Sequence, residues 1–218
     1  MIVPNIDMTR MYLMHGALRR ELDRMARATA RADGDPKTVM RTALGWVLFK
    51  KFLHIHHTAE DVALWPVMRA ALAGRPDELA LLDAMEAEHA AIQPLLDAID
   101  ATVADRNSRP DVLGGLTDAL AGVLRGHLKH EEDEALAVID ATITPEQWQA
   151  VVDQHNRLGA DDMPRMLSWV LEDASAYGIE AMLSSAPAPA RALYRSEWRP
   201  AYAALDLWHE RSVRNELQ

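Results

Sequence analysis

Four histidines and two glutamates of this chain fall where a helix would place apolar side chains: His15, His56, Glu60, His89, His127 and Glu131. His56 and Glu60 are four residues apart, as are His127 and Glu131, a spacing that puts an imidazole and a carboxylate on one face of an α-helix, one turn apart. A buried carboxylate is costly unless a counter-charge meets it. No Lys or Arg shares those faces near that level, so the chemistry that suits the pattern is cation binding. Imidazole nitrogen with carboxylate oxygen is a donor set for iron and similar divalent metals. With no Cys in the sequence, thiolate sites, iron–sulfur clusters, disulfides and cysteine nucleophiles are excluded.

The elements that must carry these residues follow from Gly and Pro punctuation between long stretches of good helix formers. A first helix is expected from about Asp7 to Ala32, closed by Asp33-Gly34-Asp35-Pro36, and a second from about Lys37 to Ala73, closed by Gly74-Arg75-Pro76. A third runs to about Asp105, and a fourth from about Asp111 to Ala141. Pro66 and Pro94 should each kink or end the helix that contains them. Spacings of three and four give one stripe per helix. The first stripe reads Met8, Met11, His15, Leu18, Leu22, Met25, and the second Trp46, Phe49, Leu53, His56, Glu60, Leu64, Val67. The third is Leu79, Leu82, Met85, His89, Ile92, Leu96, Ile99, Val103, and the fourth Leu113, Leu116, Leu120, Leu124, His127, Glu131, Ala135, Val138. His56, His89 and His127 lie near their helix midpoints, and His15 is offset from its own by roughly 7 Å at 1.5 Å per residue. In an antiparallel bundle the midpoints share a level, so all six residues should meet.

Short connections between four long helices imply an all-α, up-down-up-down four-helix bundle, assigned to residues 1–143. Residues 144–218 form a C-terminal helical extension packing on it. The extension opens with the capping box Thr144-Pro145-Glu146-Gln147, passes the Ala-Pro patch between Ser184 and Ala190, and ends in Tyr194, Trp198, Tyr202 and Trp208. The register of the second helix has a rival reading, because His57 and Asp61 share the four-residue spacing and His54 stands nearby. These three continue the face of Lys50, which the pattern treats as solvated. Phase and the overlay of His56-His57-Thr58-Ala59-Glu60 on His127-Leu128-Lys129-His130-Glu131 favour His56 and Glu60. By the same logic His130 and the run Glu132-Asp133-Glu134 belong to solvent, and His155 to the extension's core.

The chain has 218 residues, 49% hydrophobic, with a formal net charge of −10. That is enough for a substantial core without staples. An acidic balance with dispersed Arg offers no polyanion-binding surface. No apolar run approaches the roughly 20 residues that cross a bilayer, and no signal-peptide pattern opens the sequence. The expectation is a soluble, cytoplasmic protein with no nucleic-acid or membrane partner.

The order His15, His56-xxx-Glu60, His89, His127-xxx-Glu131 resembles the signature of the hemerythrin-like (HHE cation-binding) family, and Glu60-Asp61-Val62-Ala63-Leu64-Trp65-Pro66 resembles its acidic-pair-then-aromatic-Pro continuation. The resemblance spans residues from about 8 to 142. It implies a non-haem di-iron centre of two iron ions, oxo- or hydroxo-bridged, with Glu60 and Glu131 bridging and His15, His56, His89 and His127 as terminal ligands. It also marks two departures from the oxygen-carrying members. Met85 stands where they have a further His one turn before the third-helix ligand, and the last pair is His127 then Glu131 rather than His then Asp at wider spacing. One iron is then expected to be short of a nitrogen, a gap that water, peroxide or a carboxylate such as Glu86 could fill. The function this implies is binding or sensing of O2, peroxide or nitric oxide at an open iron position. The alternative is a di-iron enzyme that decomposes hydrogen peroxide. A ferritin-like site needs two Glu-x-x-His motifs, and only Glu86-Ala87-Glu88-His89 fits; a zinc hydrolase lacks its His-Glu-x-x-His. A helical interaction module whose acidic, His-rich surface binds metal only adventitiously is the remaining reading, and the extension offers a surface through which a homodimer could form.

Overall fold

The computed structural model describes residues 5–30 and 35–208. The described residues are helical, joined by short turns, with no strand among them. The bundle consists of four columns. Column one is α1 (Thr9–Thr29), and column three is α5 (Pro76–Ala104). Column two runs through α2 (Pro36–Thr42), α3 (Leu44–Ala59), a π-helical turn (Glu60–Leu64) and α4 (Trp65–Ala71). Column four runs through α6 (Pro110–His130), a second π-helical turn (Glu131–Ala135) and α7 (Leu136–Thr142). The expected closure of the first helix at Asp33-Gly34 lies outside the described residues, as does the start of the chain.

Three expectations need correction. The second helix is not continuous, because Ala43 is extended (φ −70°, ψ 113°). The cause is tertiary: the Gly45 N–H donates to Leu207 O at 2.8 Å, and the Trp208 indole occupies the space a Cβ at Gly45 would take. Pro94 neither ends nor divides α5. It sits on the exposed side of the helix, where water can serve the carbonyl that lacks a partner. Third, the stripes in columns two and four slip by one residue past the π turns. The buried positions are Met68 and Ile139, while Val67 and Val138 are only half-buried. A π turn holds one residue more than an α turn, so every position beyond it is out of phase with a 3.6-residue count.

The extension follows the bundle as α8 (Pro145–Leu158), α9 (Met163–Leu171), α10 (Ala176–Ser184), α11 (Ala188–Leu193), a third π-helical turn (Tyr194–Trp198) and α12 (Arg199–Ala203). The capping box at Thr144 and Gln147 forms. α8 packs on α3, and α9 and α10 pack on α1. Two further ties hold the extension to α1: Trp208 Nε1 donates to Glu21 at 2.7 Å, and Arg24 forks onto Glu172 at 2.7 and 2.9 Å. No helix among the described residues is long and apolar enough to cross a membrane.

The bundle interior is layered. One apolar cluster holds Leu18, Leu22, Phe49, Leu53, Ile99 and Leu124, and a second holds Leu64, Trp65, Met68, Leu82, Met85 and Ile139. The polar stripe residues lie between them.

Candidate metal centre

Each column brings its polar residues to this middle layer. Column one supplies His15, column two His56, His57 and Glu60, column three His89, and column four His127 and Glu131. All seven side chains are buried, none more than 8% exposed. They form two trios whose donor atoms lie within 4.8 Å of one another: His57, His89 and His127 in one, and His15, His56 and Glu131 in the other. Glu60 reaches both, with Oε1 3.3 Å from His56 Nδ1 and Oε2 3.5 Å from His89 Nε2. The six residues singled out in the sequence are therefore together, and His57 joins them.

His57 is the residue the sequence reading misplaced. It is buried, and its ring stacks on His89 with centroids 3.9 Å apart and planes 9° apart. The error came from treating column two as a surface helix with one narrow buried stripe. With α8 against its outer flank, α3 is buried on Trp46, Leu48, Phe49, Phe52, Ile55, His56 and His57 alike, so two successive imidazoles both face inward. Glu86, considered as a substitute ligand, is instead held by Arg69 at 2.7 Å.

A shell of carboxylates fixes the imidazoles. His15 Nδ1 meets Glu132 at 2.8 Å, His89 Nδ1 meets Asp61 at 2.8 Å, and His127 Nδ1 meets Glu88 at 3.0 Å. Glu88 also holds His130 Nδ1 at 2.8 Å, and Arg19 forks onto Glu132 at 2.7 and 2.9 Å. A carboxylate at Nδ1 requires the proton there, which leaves Nε2 as a bare lone pair and sets the ring's direction. Glu132 and His130, read as solvated, thus belong to this shell. A heptad-style phase count assigns them to the surface because it registers only where a Cβ points, and long side chains on the rim reach back inward.

With protons at Nδ1, the Nε2 atoms of His89 and His127 face each other as lone pairs only 3.1 Å apart. Between these two rings acceptor against acceptor is repulsive by itself, and a cation between them reverses the sign. His15 Nε2 faces a Glu131 oxygen at 3.1 Å; Glu131 and Glu132 raise the His15 pKa against its burial, so a proton on Nε2 or a cation in its place can satisfy this contact. Spacings of about 3 Å are those of neighbouring ligands around an octahedral ion with bonds of about 2.1 Å. Nε2 of His15, His56 and His57, and both oxygens of Glu60 and of Glu131, have no hydrogen-bond partner although fully enclosed. The donor set and its unspent lone pairs therefore fit metal ions.

Electrostatics agree. Burial, reinforced by neighbouring imidazoles, pushes His56 and His57 well below the ordinary histidine range, so both are neutral donors. Burial together with the charges of Glu131 and Asp61 pushes Glu60 well upward. At Glu131 burial works in the same direction, but His15 and His127 outweigh it and the net shift is downward. Burial would also raise Glu132, yet its bonds to His15 and Arg19 bring it down to about 2.

Both glutamates open a π turn. The Trp65 N–H reaches back five residues to Glu60 O, and the Leu136 N–H does the same to Glu131 O. Such turns are frequent at functional sites. Pro66, which lacks an N–H, is a sequence signal for the first; for the second we find none.

Fold and site together define an all-α bundle protein with a buried histidine and carboxylate cation site contributed by all four columns. A family model, the hemerythrin HHE cation-binding domain, matches residues 8–139. The chain belongs to that family. No curated protein and no solved structure matches the chain.

Proposed function

We propose that this protein holds two metal ions, taken to be iron, and binds O2, peroxide or nitric oxide at them. The observation that carries the proposal is the pair of donor trios joined through Glu60, with imidazole lone pairs converging head-on. His57, His89 and His127 would hold one ion, and His15, His56 and Glu131 the other. Glu60 would bridge, because its two oxygens lie toward different trios. Glu131 lies close enough to His127 as well as His15 for both to lower its pKa, which supports the same role. Iron held by this donor set supplies one-electron redox chemistry and affinity for such small ligands.

The protein's own contribution is positional. Glu132, Asp61 and Glu88 keep the protons on Nδ1 and hold the rings in place. The apolar layers on either side exclude bulk water. A groove lined by His54, His57, Thr58, Asp61, His89 and Gln93 leads from the surface to the first trio. His57 would supply the nitrogen that the sequence pattern left missing at Met85.

Metal analysis together with visible absorption tests this reading. We expect about two irons per chain and a spectrum that changes when azide or nitric oxide is added to the purified protein. Protein that retains no tightly bound metal would overturn the proposal. Turnover of added peroxide separates an enzyme from a binding protein.

A further inference from the structure

A second cavity lies on the opposite flank of column two, between the bundle and the extension. Its empty space, counted together with the solvent it opens to, is about 690 Å³. Its walls come from α1, α3, α8, α9 and α10, so it exists only because the extension folds back. Five methionines line it, Met11, Met14, Met163, Met166 and Met182. Methionine-rich walls adapt to irregular apolar shapes. On one side the wall is formed by His56 and Glu60 of the candidate metal centre.

Polar groups are few and specific. Arg10 lines the cavity; its guanidinium donates to Ser185 Oγ and has no carboxylate within ion-pair distance among the described residues. That is unusual here, since the other Arg residues set into this part of the fold, Arg19, Arg20 and Arg24, all have one. Burial lowers the Arg10 pKa even with Asp7 and Asp153 nearby, but an arginine stays charged under all ordinary conditions. The side chains of His155 and Asn156 also line the cavity. Burial, with a further contribution from Arg10, brings His155 down to about 4, so it is a neutral imidazole and adds no second charge. An apolar chamber with one unpaired cation and two neutral hydrogen-bonding groups matches an apolar molecule bearing a single negative charge.

We propose that this cavity is a binding site for an organic carboxylate with an apolar body, of the medium-chain fatty acid class, its carboxylate on Arg10 and its tail among the methionines. Binding does not require a metal. Guanidinium and carboxylate form charge-assisted, paired hydrogen bonds, and the methionine walls accept chains of varying shape.

Calorimetric titration of octanoate into the purified full chain tests this, with octylammonium and octan-1-ol as controls. Octanoate should bind with one-to-one stoichiometry, octylammonium should not bind, and octanol should bind more weakly. Arg10→Gln should weaken octanoate binding about tenfold or more, and Val152→Trp, which fills the chamber from a half-buried position on α8, should abolish it. Circular dichroism checks the fold of both variants, and if Val152→Trp fails to fold, Arg10→Gln alone decides. Failure of octanoate to saturate, equal binding of octylammonium, or unchanged affinity in Arg10→Gln overturns the proposal. Metal content measured on the same samples reads the metal centre separately, so loss of either reading leaves the other standing.

Discussion

Metal removal should cost this fold much of its stability, and the structure allows the size to be worked out. Seven side-chain atoms of the centre are enclosed without a hydrogen-bond partner: Nε2 of His15, His56 and His57, and both oxygens of Glu60 and Glu131. An unsatisfied buried polar atom costs about 1–3 kcal/mol. Protonation of Glu60, pairing of a protonated His15 with Glu131 and entry of water relieve part of that, so the low end applies, giving roughly 7 kcal/mol for the set. This is comparable with the ~5–15 kcal/mol that holds a typical domain together. At roughly 2–4 °C per kcal/mol for a chain of this size, Tm should fall by about 15–30 °C. The assay is thermal unfolding followed by circular dichroism at 222 nm, comparing protein as purified, protein treated with a strong chelator, and chelated protein given back Fe(II) without oxygen. Recovery of the original Tm on adding metal completes the test. A chelated protein, shown to be free of metal, that melts within about 3 °C of the untreated one would refute the reasoning, because the enclosed lone pairs would then have some other means of satisfaction.

Four further outcomes are expected. His57→Ala should lower bound metal while His54→Ala, at an exposed position of the same helix, leaves it unchanged; bound metal unchanged in both variants would restore the single-stripe reading of column two. Glu88→Gln should weaken metal binding about 10–100-fold, because Glu88 holds both His127 and His130; competition with a chelating dye measures this, and unchanged affinity would remove Glu88 from any positioning role. Burial alone would raise Glu172, but Arg24 and Arg20 outweigh it and hold it below its ordinary 4.5. Its contribution to stability is therefore present above that ordinary value and lost as pH falls through the lowered one, so the gap in urea midpoint between the chain and Glu172→Gln should close on acidification and not on raising the pH. Gly45→Ala forces its new Cβ into the Trp208 indole and should cost about 1–3 kcal/mol by urea unfolding; an unchanged midpoint would show that the docked Leu207-Trp208 segment gives way freely.

Legibility differed between columns for physical reasons. Columns one and three are single, unbroken helices through the centre, and a 3.6-residue count carries from end to end: every expected stripe position from Met11 to Met25 and from Leu82 to Val103 is buried. In columns two and four the stripe stays buried through Leu64 and Ala135, except at half-buried Leu116, and beyond the π turns the phase moves on by one residue, so that Val67 and Val138 miss. The His/Glu pairs could be read because they lie just before those turns. Long-range effects could not be read at all. The break at Ala43 depends on Leu207 and Trp208, more than 160 residues later, and no local propensity at Thr42-Ala43-Leu44 announces it.

The extension connects several of these failures. By covering the outer flank of α3 it turns a helix with one buried face into one buried nearly all round, and only such a helix can aim two successive imidazoles inward without leaving one in water. His56 and His57 point toward different trios, so a column contributing both serves two donor groups from one turn of chain. The π turn at Glu60 then places a carboxylate between them, with an oxygen toward each. A bundle of the same four columns with α8 removed would expose the flank of α3 that carries Ile55 and Ala59, and would open the side of the centre where His56 and Glu60 stand. The residues beyond 144 are thus a structural part of the site even though the two donor trios themselves draw no ligand from them.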